Sequence, residues 1–135
     1  MNKKIIATIS IIALPVIILS ISSNSTLDES LISQTIFVAT IYEPENNLVK
    51  ITYNDNSKKT NLVTLEILGM EQTFHKEFTQ NSFVETIQIN SEPKYGWSTM
   101  PVVFSVNHDE FGKIGLKTEI YQNDEIKPRI IYSEI

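Results

Sequence analysis

Residues 113–120 carry the pattern that most restricts the fold of this chain. Apolar or uncharged side chains occupy every second position, and charged side chains occupy positions between them. The first set is Ile114, Leu116, Thr118 and Ile120, and the second set is Lys113, Lys117 and Glu119. Because successive side chains of a β-strand point to opposite faces, this alternation predicts a strand with one buried face.

Short segments of the same kind recur along the chain and are separated by turn signals. The predicted strands cover residues 36–42, 48–53, 62–68, 72–78, 83–89, 101–107, 113–121 and 126–132. No segment of residues 36–135 shows helical periodicity, so the pattern predicts an all-β fold, an antiparallel β-sandwich of about seven or eight strands. Pro128 has no amide hydrogen to donate, which predicts that the last strand is an edge strand or a bulged strand.

The N-terminus has the layout of an export segment. Lys3 and Lys4 precede an apolar run over residues 5–21, which predicts a hydrophobic helix. Residues 1–22 are interpreted either as a signal peptide, with a candidate cleavage position after Ser22, or as a retained membrane anchor. Both readings place the C-terminal part of the chain outside the cell, because the lysines stay on the cytoplasmic side.

The rest of the chain divides into a polar segment and a folded domain. Residues 23–34 are rich in serine and predict a tether, and residues 35–135 hold all the predicted strands. Asn24 begins the sequence Asn-Ser-Thr and is a candidate glycosylation position in an exported chain.

Charge and cysteine content exclude several classes of function. Two of the 11 basic residues are Lys3 and Lys4, so nine remain against 16 acidic residues. Such an acidic module does not bind nucleic acid by neutralising phosphates, and no nucleic-acid partner is expected. Because the chain has no cysteine, thiol nucleophiles, cysteine-ligated zinc and iron–sulfur clusters are also excluded. No cofactor is predicted.

His108, Asp109 and Glu110 form the most suggestive cluster of chemically active residues. We interpret them as a solvated turn, because neighbouring residues of a strand point to opposite faces and do not converge on one ion. His75 is interpreted as a surface residue. The alternative is a metal-binding or hydrolytic envelope protein in which His75 and His108 share one site. No GxSxG motif supports hydrolysis.

Two loops offer weaker candidates for binding. Calcium at a loop would use Asp55, or Glu43 together with Glu45. Tyr95 and Trp97 flank a glycine in the longest irregular link and are candidate contacts for a partner or ligand, since both residues combine a large ring with a polar group. The alternative reading is that Trp97 packs at one end of the fold.

The spacing of the strands, and the corner Asp109–Gly112 before the strand 113–121, resemble immunoglobulin-like and fibronectin type III-like sandwiches over residues 34–132. The chain lacks their cysteine pair, and Trp97 lies in a link rather than on a central strand. The exported, cysteine-free layout also resembles small archaeal envelope proteins.

These resemblances imply a non-catalytic cell-envelope module with a binding or structural role. Its partner would be an unknown protein or another envelope component, and it would contact the membrane through residues 1–22 if they are not cleaved. The layout is also similar to archaeal type IV pilins, which leaves a filament subunit, processed between Lys4 and Ile5, as an alternative.

Overall fold

The computed structural model describes residues 27–135. The predicted export segment, its cleavage position at Ser22 and the sequon at Asn24 lie outside the described residues. The described elements are α1 Glu29–Thr35, β1 Ile36–Glu43, β2 Leu48–Asp55, β3 Thr60–Ile67, β4 Phe74–Phe78, β5 Ser82–Gln88, a 3-10 turn Trp97–Thr99, β6 Val102–His108, β7 Gly112–Thr118, β8 Tyr121–Gln122 and β9 Ile131–Glu134. Within residues 27–135, the structure contains no helix with the length and apolar character of a membrane span.

The strands form two sheets, with the orders β5-β2-β1-β8 and β4-β3-β6-β7-β9. Every pairing is antiparallel except the short one between β1 and β8. The prediction of a mostly-β fold with two sheets is confirmed, in a form compatible with a β-sandwich. The structure has more strands than the predicted seven or eight because residues 113–121 divide. The chain leaves the second sheet after Thr118 and joins the first sheet at Tyr121.

One hydrophobic core lies between the sheets, and it is built from the faces that alternation predicts. Ile114, Leu116, Thr118 and Ile120 are buried, whereas Lys113, Lys117 and Glu119 are exposed. The neighbouring strands contribute their alternate side chains in the same way: Val49, Ile51, Tyr53, Val63, Leu65, Ile67, Val102, Phe104 and Val106. Removal of this apolar surface from water is the main favourable term in the folding of such a domain.

The segment predicted as a tether over residues 23–34 differs from that prediction in its described part. Residues from Glu29 onward form α1, and the side chain of Asp28 accepts a hydrogen bond of 3.1 Å from the amide of Leu31, which caps the helix. Ile32 is fully buried in the core. A helix of seven residues is too short to show periodicity, and packing of Ile32 stabilises it rather than helix propensity.

The last strand lies at a sheet edge, but it begins later than predicted and does not contain Pro128. β9 begins three residues after Pro128, and Lys127, Pro128 and Ile130 line one groove together with the start of β1. There the Lys127 ammonium donates a hydrogen bond of 2.7 Å to the carbonyl of Val38 and lies 4.3 Å from the centre of the Phe37 ring. Lys127 thereby covers part of the β1 edge that β8 leaves unpaired.

Candidate functional site

Buried polar side chains collect at the end of the fold where β2 ends and β3 begins. Asp55 closes β2, Thr60 opens β3, and Thr60 lies opposite His108, the last residue of β6. With Tyr53 and Ser57 these residues form a hydrogen-bonded group that we call the Asp55–His108 cluster. The side chains of Asp55 and His108 are completely shielded from solvent, so their polar atoms must find partners inside the protein.

Asp55 accepts hydrogen bonds on both carboxylate oxygens. Its Oδ1 accepts from the Ser57 amide at 2.8 Å and from the Ser57 hydroxyl at 2.6 Å. Its Oδ2 accepts from the Lys59 amide at 3.1 Å, the Thr60 hydroxyl at 2.7 Å and His108 Nε2 at 3.0 Å. Burial by itself would raise the pKa of Asp55, but the hydrogen bonds from Ser57, Thr60 and the backbone lower that pKa from 3.8 to about 2. The carboxylate therefore stays ionised in the interior.

The other side of the His108 ring determines which nitrogen carries the proton. Its Nδ1 accepts hydrogen bonds from the amides of Glu110 at 3.1 Å and Phe111 at 3.2 Å. Because Nδ1 is an acceptor, the proton is on Nε2, which donates to Asp55. The Phe111 ring stacks on the imidazole with a centroid distance of 4.5 Å. His108 thus joins the turn between β6 and β7 to the loop between β2 and β3.

The cluster contains a serine, a histidine and an aspartate, but it does not have the geometry of a nucleophilic triad. In a triad, one imidazole nitrogen faces the hydroxyl and the other faces the carboxylate. Here the Ser57 hydroxyl lies 3.2 Å from His108 Nε2, the same nitrogen that meets Asp55. The Ser57 hydroxyl donates to Asp55, and the lone pair on His108 Nδ1 accepts hydrogen bonds from backbone amides. The ring therefore has no basic nitrogen available for Ser57.

Tyr53 on β2 and Asn81, between β4 and β5, extend the hydrogen-bond network through Thr60. The Tyr53 hydroxyl and the Thr60 hydroxyl are 2.8 Å apart, and since Thr60 donates to Asp55, Tyr53 is the donor between them. Burial raises the pKa of Tyr53 to about 12. The side-chain oxygen of Asn81, in the turn between β4 and β5, accepts from the Thr60 amide at 2.9 Å. The cluster consequently connects turns from both sheets.

The three residues of the predicted His108–Glu110 turn differ in their exposure to solvent. His108 is buried, so the expectation of a solvated position was wrong for this residue, because its partner Asp55 is distant in sequence. Asp109 and Glu110 are exposed: Asp109 accepts from Asn61 at 2.7 Å, and Glu110 lies 3.4 Å from the Lys59 ammonium.

His75 lies far from the Asp55–His108 cluster. It faces Glu66 on β3, whereas His108 faces Thr60 on the same strand. Six residues of extended chain correspond to roughly 20 Å, so the two imidazoles do not share one metal ion. Within residues 27–135, no group of three or more histidine, aspartate or glutamate side chains is placed to hold a metal.

The calcium candidates also lie apart. Both oxygens of Asp55 are occupied by protein donors and shielded from solvent. Glu43 and Glu45 lie at the opposite end, where Glu43 ends β1 and accepts a hydrogen bond of 3.1 Å from Asn46. The structure therefore leaves no oxygen of Asp55 exposed to a cation, and the alternative ligands Glu43 and Glu45 lie at the other end of β1.

Tyr95 and Trp97 differ sharply in exposure. Tyr95 is 78% exposed, whereas Trp97 is 6% exposed and packs against Tyr42 with a centroid distance of 5.0 Å. The indole Nε1 of Trp97 has no hydrogen-bond partner among the described residues. A Cβ atom at Gly69 would overlap the carbonyl oxygen of Thr99, so this glycine lets the Trp97 turn approach the end of the fold. Of the two candidate contacts, Tyr95 alone presents its side chain to solvent.

Sequence reasoning missed the partners of His108. The order Asp55-Asn56-Ser57 contains a local signal, since an aspartate often accepts from the amide two residues later in a turn. The contact between Asp55 and His108 joins residues 53 positions apart, and no local pattern predicts it.

Comparison with known proteins found no family model, curated protein or solved structure that matches this chain. Its function is therefore inferred from the residues and distances described above.

Proposed function

We propose that the chain is a non-catalytic, exported module of the cell envelope that acts by binding. The observation that carries this proposal is the internal use of the Asp55–His108 cluster. Its carboxylate, imidazole and hydroxyl groups bond to one another and to backbone amides. Groups arranged in this way hold loops in place, and activity then depends on the exposed loops and strand edges.

Strand order supports a finer class of fold, the immunoglobulin-like or fibronectin type III-like sandwich. When the first seven strands are lettered in chain order A, B, C, C′, E, F and G, the order β5-β2-β1 becomes E-B-A and the order β4-β3-β6-β7 becomes C′-C-F-G. Immunoglobulin-like sandwiches likewise pair A, B and E in one sheet and C, F and G in the other. Such folds commonly present their loops at the two ends for recognition.

A reactive probe tests the non-catalytic part of the proposal. We expect a fluorophosphonate, which labels activated serines, to leave Ser57 unlabelled in the full chain. Its hydroxyl donates to Asp55, a carboxylate whose lowered pKa makes it a weak base, and no imidazole nitrogen accepts its proton. The Ser57→Ala variant is the matched control for any background labelling. Labelling of the wild-type chain at Ser57, absent in this variant, would show an activated nucleophile and overturn the proposal.

The export part rests on Lys3, Lys4 and the apolar run 5–21. We expect the native protein to have its N-terminus near Ser23, or to be unprocessed and digestible by protease added to intact cells. Intact mass and N-terminal sequencing distinguish these forms, and excess mass would report glycosylation at Asn24. An N-terminus at Ile5 would favour the filament subunit instead, and an unprocessed chain protected from external protease would contradict export.

Tyr95 carries the proposed contact with a partner, because it is the aromatic residue of the link between β5 and β6 that faces solvent. We expect a photo-crosslinking residue in place of Tyr95 to give a discrete adduct in the native envelope. The control is the same residue in place of Ile126, which is 94% exposed. Adducts of equal yield and identity at both positions would mean that Tyr95 has no specific role.

A further inference from the structure

β5 is the outermost strand of the first sheet, and half of its backbone groups face away from that sheet. All seven of its residues are in uninterrupted register with β2. Hydrogen bonds from the Asp55 amide to the Asn81 carbonyl and from the Ile89 amide to the Asn47 carbonyl show that odd-numbered positions bond to β2. In an antiparallel ladder the bonding side alternates. The amides and carbonyls of Ser82, Val84, Thr86 and Gln88 therefore face outward, where no strand lies in the described chain.

The other sheet edges carry features that oppose pairing with a further strand. β8 and Lys127 cover part of the β1 edge, and Pro128 follows Lys127. β4 has only five residues, and its central three are His75, Lys76 and Glu77; β9 has only four. Short strands, charges, lysines and prolines are the usual means by which sheet edges avoid pairing.

β5 lacks these protections. Its sequence SFVETIQ contains no lysine, proline or glycine. Its one charged residue, Glu85, is already paired at 2.8 Å with Lys76 of the same chain. Val84 projects from the outer face with 56% of its surface exposed. An edge of this kind, left uncovered by residues 27–135, is a template for a further strand.

We propose that β5 pairs antiparallel with β5 of a second copy of this chain, about a two-fold axis at Val84. In this register Val84 lies opposite its own copy and Ser82 lies opposite Thr86 of the second copy. Glu85 lies opposite Phe83 of the second copy. The two four-stranded sheets then form one continuous sheet.

Charge and side-chain direction select this register. A shift of one residue would put inward-facing side chains opposite outward-facing ones, because side chains alternate along a strand. An axis at Glu85 would put two carboxylates directly opposite each other, which is destabilising. The axis at Val84 avoids both and covers the most exposed apolar side chain of the strand with its own copy.

The strength of the contact follows from its size. Ser82, Val84 and Thr86 of both copies would exchange about six main-chain hydrogen bonds. One strand pair buries less than the roughly 800 Å² per partner of a standard stable interface. We therefore expect a weak dimer that forms as concentration rises through the micromolar range and is favoured where the chain is concentrated at a membrane or surface.

Sedimentation of the full chain in mild detergent tests the dimer, with Val84→Lys as the disrupting variant. The control is Ile131→Lys, because Ile131 is 58% exposed and lies on the edge strand of the other sheet. We expect Val84→Lys to raise the dissociation constant at least about tenfold, a loss of about 1.4 kcal/mol, and Ile131→Lys to leave it unchanged. A chain that stays monomeric at millimolar concentration, or a dimer that Val84→Lys does not weaken, would overturn the proposal.

Disulfide formation tests the register, since the wild-type chain has no cysteine. Residues of a hydrogen-bonded antiparallel pair have Cα atoms about 5.5 Å apart, within the range that a disulfide spans. We expect Val84→Cys to form a covalent dimer under mild oxidation, while Thr86→Cys and Ile131→Cys stay monomeric. Equal or faster cross-linking of Thr86→Cys would overturn the axis at Val84.

Discussion

The two ends of this fold are closed in different ways. At one end, the Asp55–His108 cluster buries an ionised carboxylate whose oxygens are both satisfied by protein donors. At the other end, Tyr42, Trp97 and Met100 form what we call the aromatic end, where Trp97 packs on Tyr42 and its Nε1 has no partner among the described residues. The first end depends on hydrogen-bond geometry, and the second on apolar area and shape.

The difference predicts how each end responds to substitution. A buried carboxylate is tolerated only if its hydrogen bonds are complete. The end that holds the Asp55–His108 cluster, which we call the polar end, should therefore be sensitive to the loss of a single hydrogen-bonding group. A large ring excludes water by filling space, so the aromatic end should be sensitive to volume and tolerant of a change in polarity. Four predictions test this contrast.

The largest effect is expected at the centre of the polar end. Asp55→Ala leaves the Ser57, Thr60 and His108 donors without their acceptor, so we expect the free energy of unfolding to fall by about 4 kcal/mol, measured in urea. The control is Asp109→Ala, which removes an exposed carboxylate that accepts a hydrogen bond from Asn61 and should cost less than about 0.5 kcal/mol. Equal losses for the two variants would contradict the role of the cluster.

At the aromatic end, Trp97→Ala should lower the free energy of unfolding by about 3 kcal/mol, because it leaves a cavity beside Tyr42. Trp97→Phe keeps most of the apolar volume and removes an indole N–H that has no partner, so its cost should be about 1 kcal/mol. Urea unfolding of both variants measures the difference. If Trp97→Phe lowered the free energy of unfolding as much as Trp97→Ala does, the filling of space would not account for the stability of the aromatic end.

Acid should weaken the polar end selectively. The pKa of Asp55 is lowered from 3.8 to about 2 in the folded state, so its carboxylate contributes stability at pH above about 4. That contribution, about 2 kcal/mol, is lost as the pH falls from about 4 to about 2. We expect the difference in unfolding free energy between wild type and Asp55→Asn to shrink over this range, while Trp97→Phe should follow the wild-type pH profile. A constant difference would argue against a lowered pKa.

The smallest effect is expected for His108→Gln. The glutamine amide can still donate to Asp55, but the acceptor for the Glu110 and Phe111 amides and the stacked ring are lost, so the turn should loosen by about 1 kcal/mol. Hydrogen exchange of the Glu110 and Phe111 amides should accelerate about fivefold. Unchanged exchange at both amides would mean that Nδ1 does not hold this turn.

The core faces were predictable from the sequence because alternation is a local property. Leu116 and Lys117 are neighbours in the chain and lie on opposite faces, as the two-residue repeat of a strand requires. The edge position of β9 agrees with the prediction, but its stated reason does not hold, because Pro128 precedes the strand instead of lying within it. Burial of Ile32 in α1 was not predictable, since fewer than two helical turns leave no periodic pattern and the docking surface comes from distant strands.

The candidate site likewise had features that the sequence predicted and features that it did not. The sequence pointed to His108 and to Trp97 but not to their surroundings, because each depends on residues far away in the chain. The sequence indicated Asp55 only as a candidate calcium ligand in a loop. Pairing of β3 with β6 places His108 against Asp55, whose side chain is shielded from water.

For this protein, the sequence alone predicted a mostly-β fold and the strand faces that are buried. It also determined the acidic, cysteine-free character of the chain. Those properties arise between neighbours, through strand geometry and side-chain chemistry. Packing of the two sheets determined which polar groups became buried, which strand edges stayed open and which nitrogen of His108 carries a proton. Such properties depend on contacts between distant residues, and they exist once the strands have paired and the ends have closed.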